Sequence, residues 1–204
     1  MNKIIMATNN KGKIKELKQL IHDYDVYSQE EMGVNVEVEE NGDTFEENAI
    51  IKVKELKKYI SDNVYIIGED SGICVEALDG YPGTHTKRAA EEELSRKVTE
   101  VERNNLILEK LKNINSINRN VYWETIIALM LPNGEVKTFK GIQVGVIAEE
   151  PRGENGFGFD PIFYITEAGK TLAQMNFEEK MKYSARSKAV EQFITFISKK
   201  IYKI

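Results

Sequence analysis

Six short sets of residues in this chain carry types and spacings that could do chemistry. Thr8-Asn9-Asn10-Lys11-Gly12-Lys13 is a run of small, amide and basic residues between an apolar stretch and a helical pattern. Free backbone N–H groups and the positive dipole end of a helix favour an anion there, and Lys13 adds a point charge, so a phosphate is the natural guest. It is no Walker A loop, because Ile14 rather than Ser or Thr follows Gly12-Lys13 and the earlier glycine is missing. The bland alternative is an ordinary polar turn. Asn48 and Lys52, four residues apart, lie at the edge of one helix face; Lys52 reads as a second phosphate contact or as a snorkelling surface lysine. Glu69-Asp70-Ser71-Gly72 places adjacent acids at the end of an apolar strand, where open α/β sheets put their ligands. Magnesium carried by a phosphate needs only one or two such carboxylates, and either acid can activate a water within hydrogen-bond reach. A turn or capping role is the alternative. Glu39 and Glu40, before Gly42, offer a further metal oxygen or a solvated acidic loop. Finally, Phe157-Gly158-Phe159-Asp160 sets aromatic faces and an acceptor on a glycine-rich bend, suited to stacking on a base or to a plain turn with two core phenylalanines. Lys180 and Arg186 flank the start of the last helix, as contacts for a purine carbonyl or a phosphate oxygen or as surface charges.

The elements that must position these residues are legible from periodicity. A buried strand over Lys3–Ala7 leads through the polar loop into a helix with Ile14, Leu17, Leu20 and Ile21 on one face, ending near Asp23. Val34, Val36 and Val38 alternate as in an exposed strand. Thr44 and Glu47 form a capping box for a helix whose stripe is Phe45, Ala49, Val53, Leu56 and Ile60. Val64–Gly68 reads as a strand, Ile73–Leu78 as a second extended run, and about 90–111 as one long helix with Leu94, Val98, Val101 and Leu108 inward. Val121–Leu131 and Glu135–Ala148 flank Pro132-Asn133-Gly134 as an antiparallel hairpin, so the sheet is mixed. A short strand at Ile162–Ile165 and a final helix with Val190, Phe193 and Ile197 complete the pattern, with no repeat or linker.

Composition narrows the classes. The chain has 204 residues, 41% hydrophobic and 30% charged, enough for one generous domain or two thin lobes. Cys74 has no partner for an internal disulfide, and with only His22 and His85 beside it there is no zinc ribbon or finger. A net charge of −5 disfavours nucleic-acid binding through a basic face. No stretch approaches the roughly 20 apolar residues of a membrane span, and no signal-peptide core is present. A soluble protein in the reducing cytoplasm is expected, free of membrane and nucleic acid.

Taken in order, these segments resemble the inosine/xanthosine triphosphate pyrophosphatase family. Thr8-Asn9-Asn10-Lys11-Gly12-Lys13 is similar to its T-x-N-x-x-K loop, and Thr44-Phe45, Glu47-Asn48-Ala49 and Lys52 to its T-F-x-E-N-A-x-x-K helix. Asp70-Ser71-Gly72 with the later Leu78-x-Gly80-x-Pro82-Gly83 matches D-S-G and its glycine turn. Residues Gly156 to Phe163 match G-F-G-Y-D-P-[IV]-F, and Glu179-Lys180 fits E-E-K. The resemblance implies an α/β fold, elongated and two-lobed, around a mixed twisted β-sheet with flanking helices and a central cleft, as one domain over residues 1–204 and commonly a homodimer. It implies magnesium-dependent hydrolysis of ITP, dITP or XTP to the monophosphate and pyrophosphate. Asp70 would be the proton acceptor and a metal ligand, Glu39 the other ligand with Glu69 as a further candidate, and Ser71 a substrate contact. Thr8 to Lys13, with Lys52, would hold the phosphates, Asn48 would be a further substrate-binding residue, and Phe157, Gly158, Phe159, Asp160, Lys180 and Arg186 would hold the nucleoside end. Two departures bear on base choice: Ser184-Ala185-Arg186 stands where the family has S-H-R, and His85-Thr86-Lys87-Arg88-Ala89 where it has an aromatic followed by S-A-R-Y. A methyl cannot donate a hydrogen bond to a 6-oxo purine, so relaxed or shifted base specificity is the alternative, with His85 as a replacement imidazole or a plain surface residue. A nucleotide-binding protein without catalysis ranks below both.

Overall fold

β1 (Lys3–Met6) is buried from its second residue onward and pairs in parallel on one side with β2 (Asp25–Ser28) and on the other with β3 (Tyr65–Val75). The computed structural model describes residues 3–201 apart from Asp62 and Lys87. Within them a seven-stranded mixed sheet runs in the order β2-β1-β3-β4-β5-β6-β7. Its other strands are β4 (Asn120–Met130), β5 (Val136–Ile147), β6 (Phe163–Ile165) and β7 (Lys170–Thr171). The expected hairpin is present: Leu131 N–H bonds Glu135 O at one end and Ile147 N–H bonds Arg119 O at the other, which fixes an antiparallel register from end to end.

Several elements differ from the sequence-based expectation for identifiable reasons. α1 (Lys11–Leu20) starts before Ile14, because the Asn10 side chain caps it by accepting from Lys13 N–H, drawing Lys11, Gly12 and Lys13 into the first turn. Val34, Val36 and Val38 form no strand; the edge position goes to β2, whose four-residue backbone pairs with β1. β3 is a single strand of eleven residues, so Glu69-Asp70-Ser71-Gly72 lies within it and not in a turn after it. The long helix over about 90–111 is two helices, α3 (Ala89–Leu94) and α4 (Glu100–Lys110). Ser95 takes a left-handed conformation that ends the first, and Thr99 with Glu102 makes a capping box that starts the second. Leu94 and Val101, expected inside, are exposed, while Val98 and Ile107 are buried. α2 (Phe45–Lys57) carries the expected capping box, and α5 (Phe177–Tyr183) and α6 (Ala185–Ile201) close the chain.

The chain divides into two compact units, with boundaries inside β3, β4 and β5 and after the first residue of α6. The first comprises Met1–Asp70, Thr125–Gly141 and Arg186–Ile204. In its core Ile4, Met6 and Ile67 from the strands meet Leu17 and Ile21 of the α1 region and Ala189, Val190, Phe193 and Ile197 of α6. The period-2 alternation of β3 turns Ile66 and Gly68 to the other face, where α2 packs. At Gly68 the contact is backbone on strand: a Cβ there would stand 2.6 Å from Ala49 O and 2.9 Å from Val53 Cγ1. The second unit, Ser71–Glu124 and Ile142–Ala185, has its own core of Ile73, Val75, Ile107, Phe159, Phe163 and Met175. Buried Arg119 ties that unit's backbone together through Leu111 O and Ala148 O.

Because the conflict at Gly68 is with a main-chain carbonyl, no rotamer change relieves it. Gly68→Ala is expected to cost about 1–3 kcal/mol through overpacking, read as a lowered denaturant midpoint with an unchanged slope. An unchanged midpoint would show that α2 is free to shift.

Candidate active site

Glu69 and Asp70 are consecutive residues in the middle of a strand, and both are buried. Alternation sends their side chains to opposite faces of the sheet. Asp70 shares the face of Gly68 and α2, and Glu69 shares the face of Ile67, α1 and α6. The pair expected at a strand end is therefore two separate carboxylates with separate partners.

On the α2 face, Lys52 Nζ donates to Asp70 Oδ1 at 2.8 Å and to the backbone oxygen of Glu69 at 3.1 Å, and lies 3.1 Å from Glu40 Oε2. Lys52 is only 7% exposed, which overturns its reading as a surface lysine. Burial works to lower its pKa, but the Asp70 and Glu40 carboxylates outweigh it and hold the ammonium above the ordinary lysine value. Asp70 is pushed up, by burial first and by the Glu40 charge, against the pull of Lys52 and Lys13. Glu40 is held below the usual carboxylate value: burial opposes this, and the Lys52 charge prevails. The second oxygen of Asp70, Oδ2, is buried and has no hydrogen-bond partner among the described residues. Such an atom is costly unless something electropositive meets it.

On the opposite face Arg186 makes a two-pronged contact to Glu69, Nε to Oε2 at 2.7 Å and Nη2 to Oε1 at 2.8 Å, and its Nη1 bonds Glu16. Lys13 Nζ is 3.3 Å from Glu69 Oε1. Glu69, Glu16 and Arg186 are all buried. Burial raises the Glu69 pKa, but Arg186 and Lys13 reverse this and leave it far below the usual range. Arg186 is raised by Glu69 and Glu16 against its own desolvation. Lys13 is lowered because its burial outweighs the Glu69 charge. Glu69, a candidate metal ligand by sequence, is thus engaged by two cations on the face away from Asp70.

In the second unit the glycine loop is braced from several sides. Asp160 Oδ2 accepts from Phe157 N–H at 2.8 Å and from Lys180 Nζ at 2.6 Å, and the Lys180 ammonium sits 5.1 Å from the Phe157 ring centroid. α4 holds both polar groups of Gly158: its N–H donates to Glu100 and its carbonyl accepts from Asn104 Nδ2. Phe159 is buried in the core, so of the two phenylalanines only Phe157 borders solvent. Lys180 and Arg186, read alternatively as surface charges, are buried ion-pair partners.

The remaining predicted residues fall as follows. Thr8 is half-buried, and Asn9, Asn10 and Lys11 are exposed around the α1 N-terminus, with Gly12 and Lys13 in its first turn. Ser71 is half-buried beside Asp70 on β3. Glu39 is exposed, and the structure brings its neighbour Glu40 to Lys52. Asn48 is wholly buried, with both amide atoms engaged by Gly42. His85 is exposed and lies 3.1 Å from Glu92, as expected of a surface residue; Lys87 lies outside the described residues. Glu16 was not anticipated, although a glutamate between Ile14 and Leu17, inside the apolar stripe, is the signal of a buried acid. Glu100 and Asn104, four apart on α4, carry no signal in the sequence beyond ordinary helix polarity.

Comparison with known proteins identifies the family of the chain. Residues 4–196 match the model of the Ham1 family. A dITP/XTP pyrophosphatase of Bacillus subtilis is 40% identical over 194 residues, covering 94% of this chain and 95% of that protein. The Ham1 protein of Staphylococcus aureus has a solved structure that superposes with a TM-score of 0.83 at 37% identity, over 97% of this chain and 99% of that one. A HAM1 protein from Coxiella burnetii gives the same TM-score at 35% identity, over 98% and 100% of the two chains. With a family model spanning nearly its whole length and relatives at this identity, the chain belongs to the Ham1 family.

Proposed function

We propose that the chain is a nucleoside triphosphate pyrophosphatase that hydrolyses nonstandard purine nucleoside triphosphates, of the ITP, dITP and XTP kind, to the monophosphate and pyrophosphate. The observation that carries the reading is the buried Asp70 Oδ2, without a hydrogen-bond partner among the described residues, beside Lys52 and Glu40. Family membership supports the substrate class, since relatives are named for dITP and XTP.

The donor set suits a divalent cation. Two carboxylates, Asp70 and Glu40, converge on one ammonium, and magnesium takes only one or two protein carboxylates because it keeps several waters. Asp70 and Glu40 would hold it, in place of Glu39, and the ion would neutralise phosphate charge and acidify a bound water. Lys52 and Lys13, with the Lys11 and Gly12 N–H groups at the α1 N-terminus, meet the remaining phosphate charge. Asp70, pushed up by burial, is poised to accept the proton of the attacking water. Thr8 to Lys13 and Ser71 belong to the phosphate end, and the nucleoside end is assigned to Phe157, Gly158 and Asp160 with Lys180. The reading extends to a single domain working as a homodimer in the cytoplasm. Among the described residues no helix is long and apolar enough to cross a membrane.

A second reading, relaxed base choice, is favoured by Ala185, whose buried methyl opens α6 where the family pattern has an imidazole. Pyrophosphate release from ITP, dITP, XTP, GTP and ATP, with and without magnesium, tests both. Preference for the 6-oxo nonstandard purines is expected, with a fall of about 10²–10⁴-fold in Asp70→Asn. Comparable turnover of GTP or ATP would establish the second reading, and no turnover at all would leave nucleotide binding without catalysis.

Glu40→Gln is expected to raise the magnesium concentration for half-maximal rate, and Glu39→Gln to leave it near wild type; the reverse order would return the ligand role to Glu39. Glu69 has a native pKa below its unfolded value, so its contribution to stability is full above about pH 4.5 and is lost as pH falls through the native pKa. Glu69→Gln is expected to lower stability at pH 7 by about 3–5 kcal/mol and to flatten the acid limb of the stability curve, as read by denaturant titrations at several pH values.

A further inference from the structure

Asn48 has no exposed surface and stands one helical turn before Lys52 on α2. Both ends of its amide bond the same residue: Gly42 N–H donates to Oδ1 at 2.9 Å, and Nδ2 donates to Gly42 O at 3.3 Å. A side chain here does what a neighbouring strand would do for a backbone. The loop lies flat against the helix, for a Cβ on Gly42 would stand 2.7 Å from Glu47 Cβ and 2.9 Å from Asn48 Oδ1. Glu47 continues the grip, its Oε2 accepting from Asp43 N–H at 2.8 Å and Thr44 N–H at 3.1 Å.

Two residues before Gly42 is Glu40, whose carboxylate reaches Lys52. Residues 34–42 have no regular secondary structure, so no ladder of backbone bonds holds Glu40 in place. An acid on an irregular segment samples many positions unless the chain beside it is fixed. Gln29 holds the start of the segment, its Nε2 donating to Val36 O at 2.7 Å, and on the side next to Glu40 the fixed point is the Asn48–Gly42 pair.

We propose that Asn48 is a positioning residue: through Gly42 it fixes the loop that delivers the Glu40 carboxylate to Asp70 and Lys52, and it thereby sets the affinity of this carboxylate pair for a divalent cation. This rests on the reading of Glu40 and Asp70 as the cation's ligands. It replaces the expectation that Asn48 touches the nucleotide, because its donor and its acceptor both face Gly42. Outer groups that orient ligands of a metal typically change its affinity by roughly 10–100-fold.

The test uses two variants and three readouts. Asn48→Ala removes both bonds, and Gly42→Ala pushes the loop off the helix while leaving the amide of Asn48 intact. Manganese binding by calorimetry, without nucleotide, is expected to weaken by roughly 10–100-fold in both, and the KM for ITP at saturating magnesium to change far less. In the wild-type protein without metal, the Gly42 amide is expected to exchange its hydrogen slowly, although it lies in a loop. A higher KM in Asn48→Ala with unchanged manganese binding, and a silent Gly42→Ala, would overturn the proposal and restore a direct nucleotide contact. Fast exchange at Gly42, or no manganese binding by the wild type, would also overturn it. Should Asn48→Ala fail to fold, Gly42→Ala and the exchange measurement still decide. A wild type that binds manganese yet hydrolyses no nucleotide would end the pyrophosphatase reading and leave the role of Asn48 to these same results.

Discussion

Two adjacent carboxylates cannot both be buried and charged on one side of a strand. Removing each from water costs several kcal/mol, and their mutual repulsion adds to it. β3 meets this constraint with its own geometry, turning Glu69 one way and Asp70 the other, and much of the first unit follows from the need to answer each charge separately. α2 must come close enough to bring Lys52 to Asp70, and Gly68 permits that approach. α1 and α6 must bring Lys13 and Arg186 to Glu69. The apolar cluster of Leu17, Ile67, Val190 and Phe193 is what holds those two helices where their cations are needed.

The same separation gives two residues of nearly identical chemistry opposite properties. Glu69, forked by Arg186 and flanked by Lys13, has its carboxyl held far below the usual range and is the anion at neutral pH. Asp70, with one oxygen on Lys52 and the other without a hydrogen-bond partner among the described residues, is the group whose proton affinity burial has raised. Environment assigns the roles, as in other sites where a pair of acids is driven apart in pKa. In the second unit, Asp160 is met by Lys180 and by the loop's own backbone, and α4 secures the Gly158 peptide from both sides, so Phe157 presents its ring from a braced loop.

The residue types of the site could be read from the chain, but their pairing could not. The apolar stripe of α1, the capped α2 and the hairpin were visible because stripes, caps and turn tripeptides are local signals, whereas the Asn10 cap that starts α1 early was not read. The break after Gly68 was expected because Asp, Ser and Gly usually end strands; β3 continues since neighbouring strands supply what the side chains do not favour. The long helix was expected because its apolar spacing persists across Ser95, where one left-handed residue and a new cap divide it. Glu39 and Glu40 are indistinguishable by type, and only the path of the loop past Gly42 decides which faces Lys52. Lys52, Lys180 and Arg186 each resemble solvated cations until the carboxylates that bury with them, 18, 20 and 117 residues away, are folded alongside.

That last separation bears on how the chain can be made. Glu16 and Glu69 are near the start, and the guanidinium that neutralises them lies 170 and 117 residues later, in the segment that also supplies Phe193 to the same core. During synthesis from the N-terminus, the first unit therefore waits for its final segment, while every residue of the second has already been joined once Ala185 is added. The part of the protein whose sequence begins first is the last that can close, and until it does its two acids must stay in water. Shortening the chain ahead of α6 would strand those acids permanently, with the polar loop that leads into α1 attached to a core that lacks one wall.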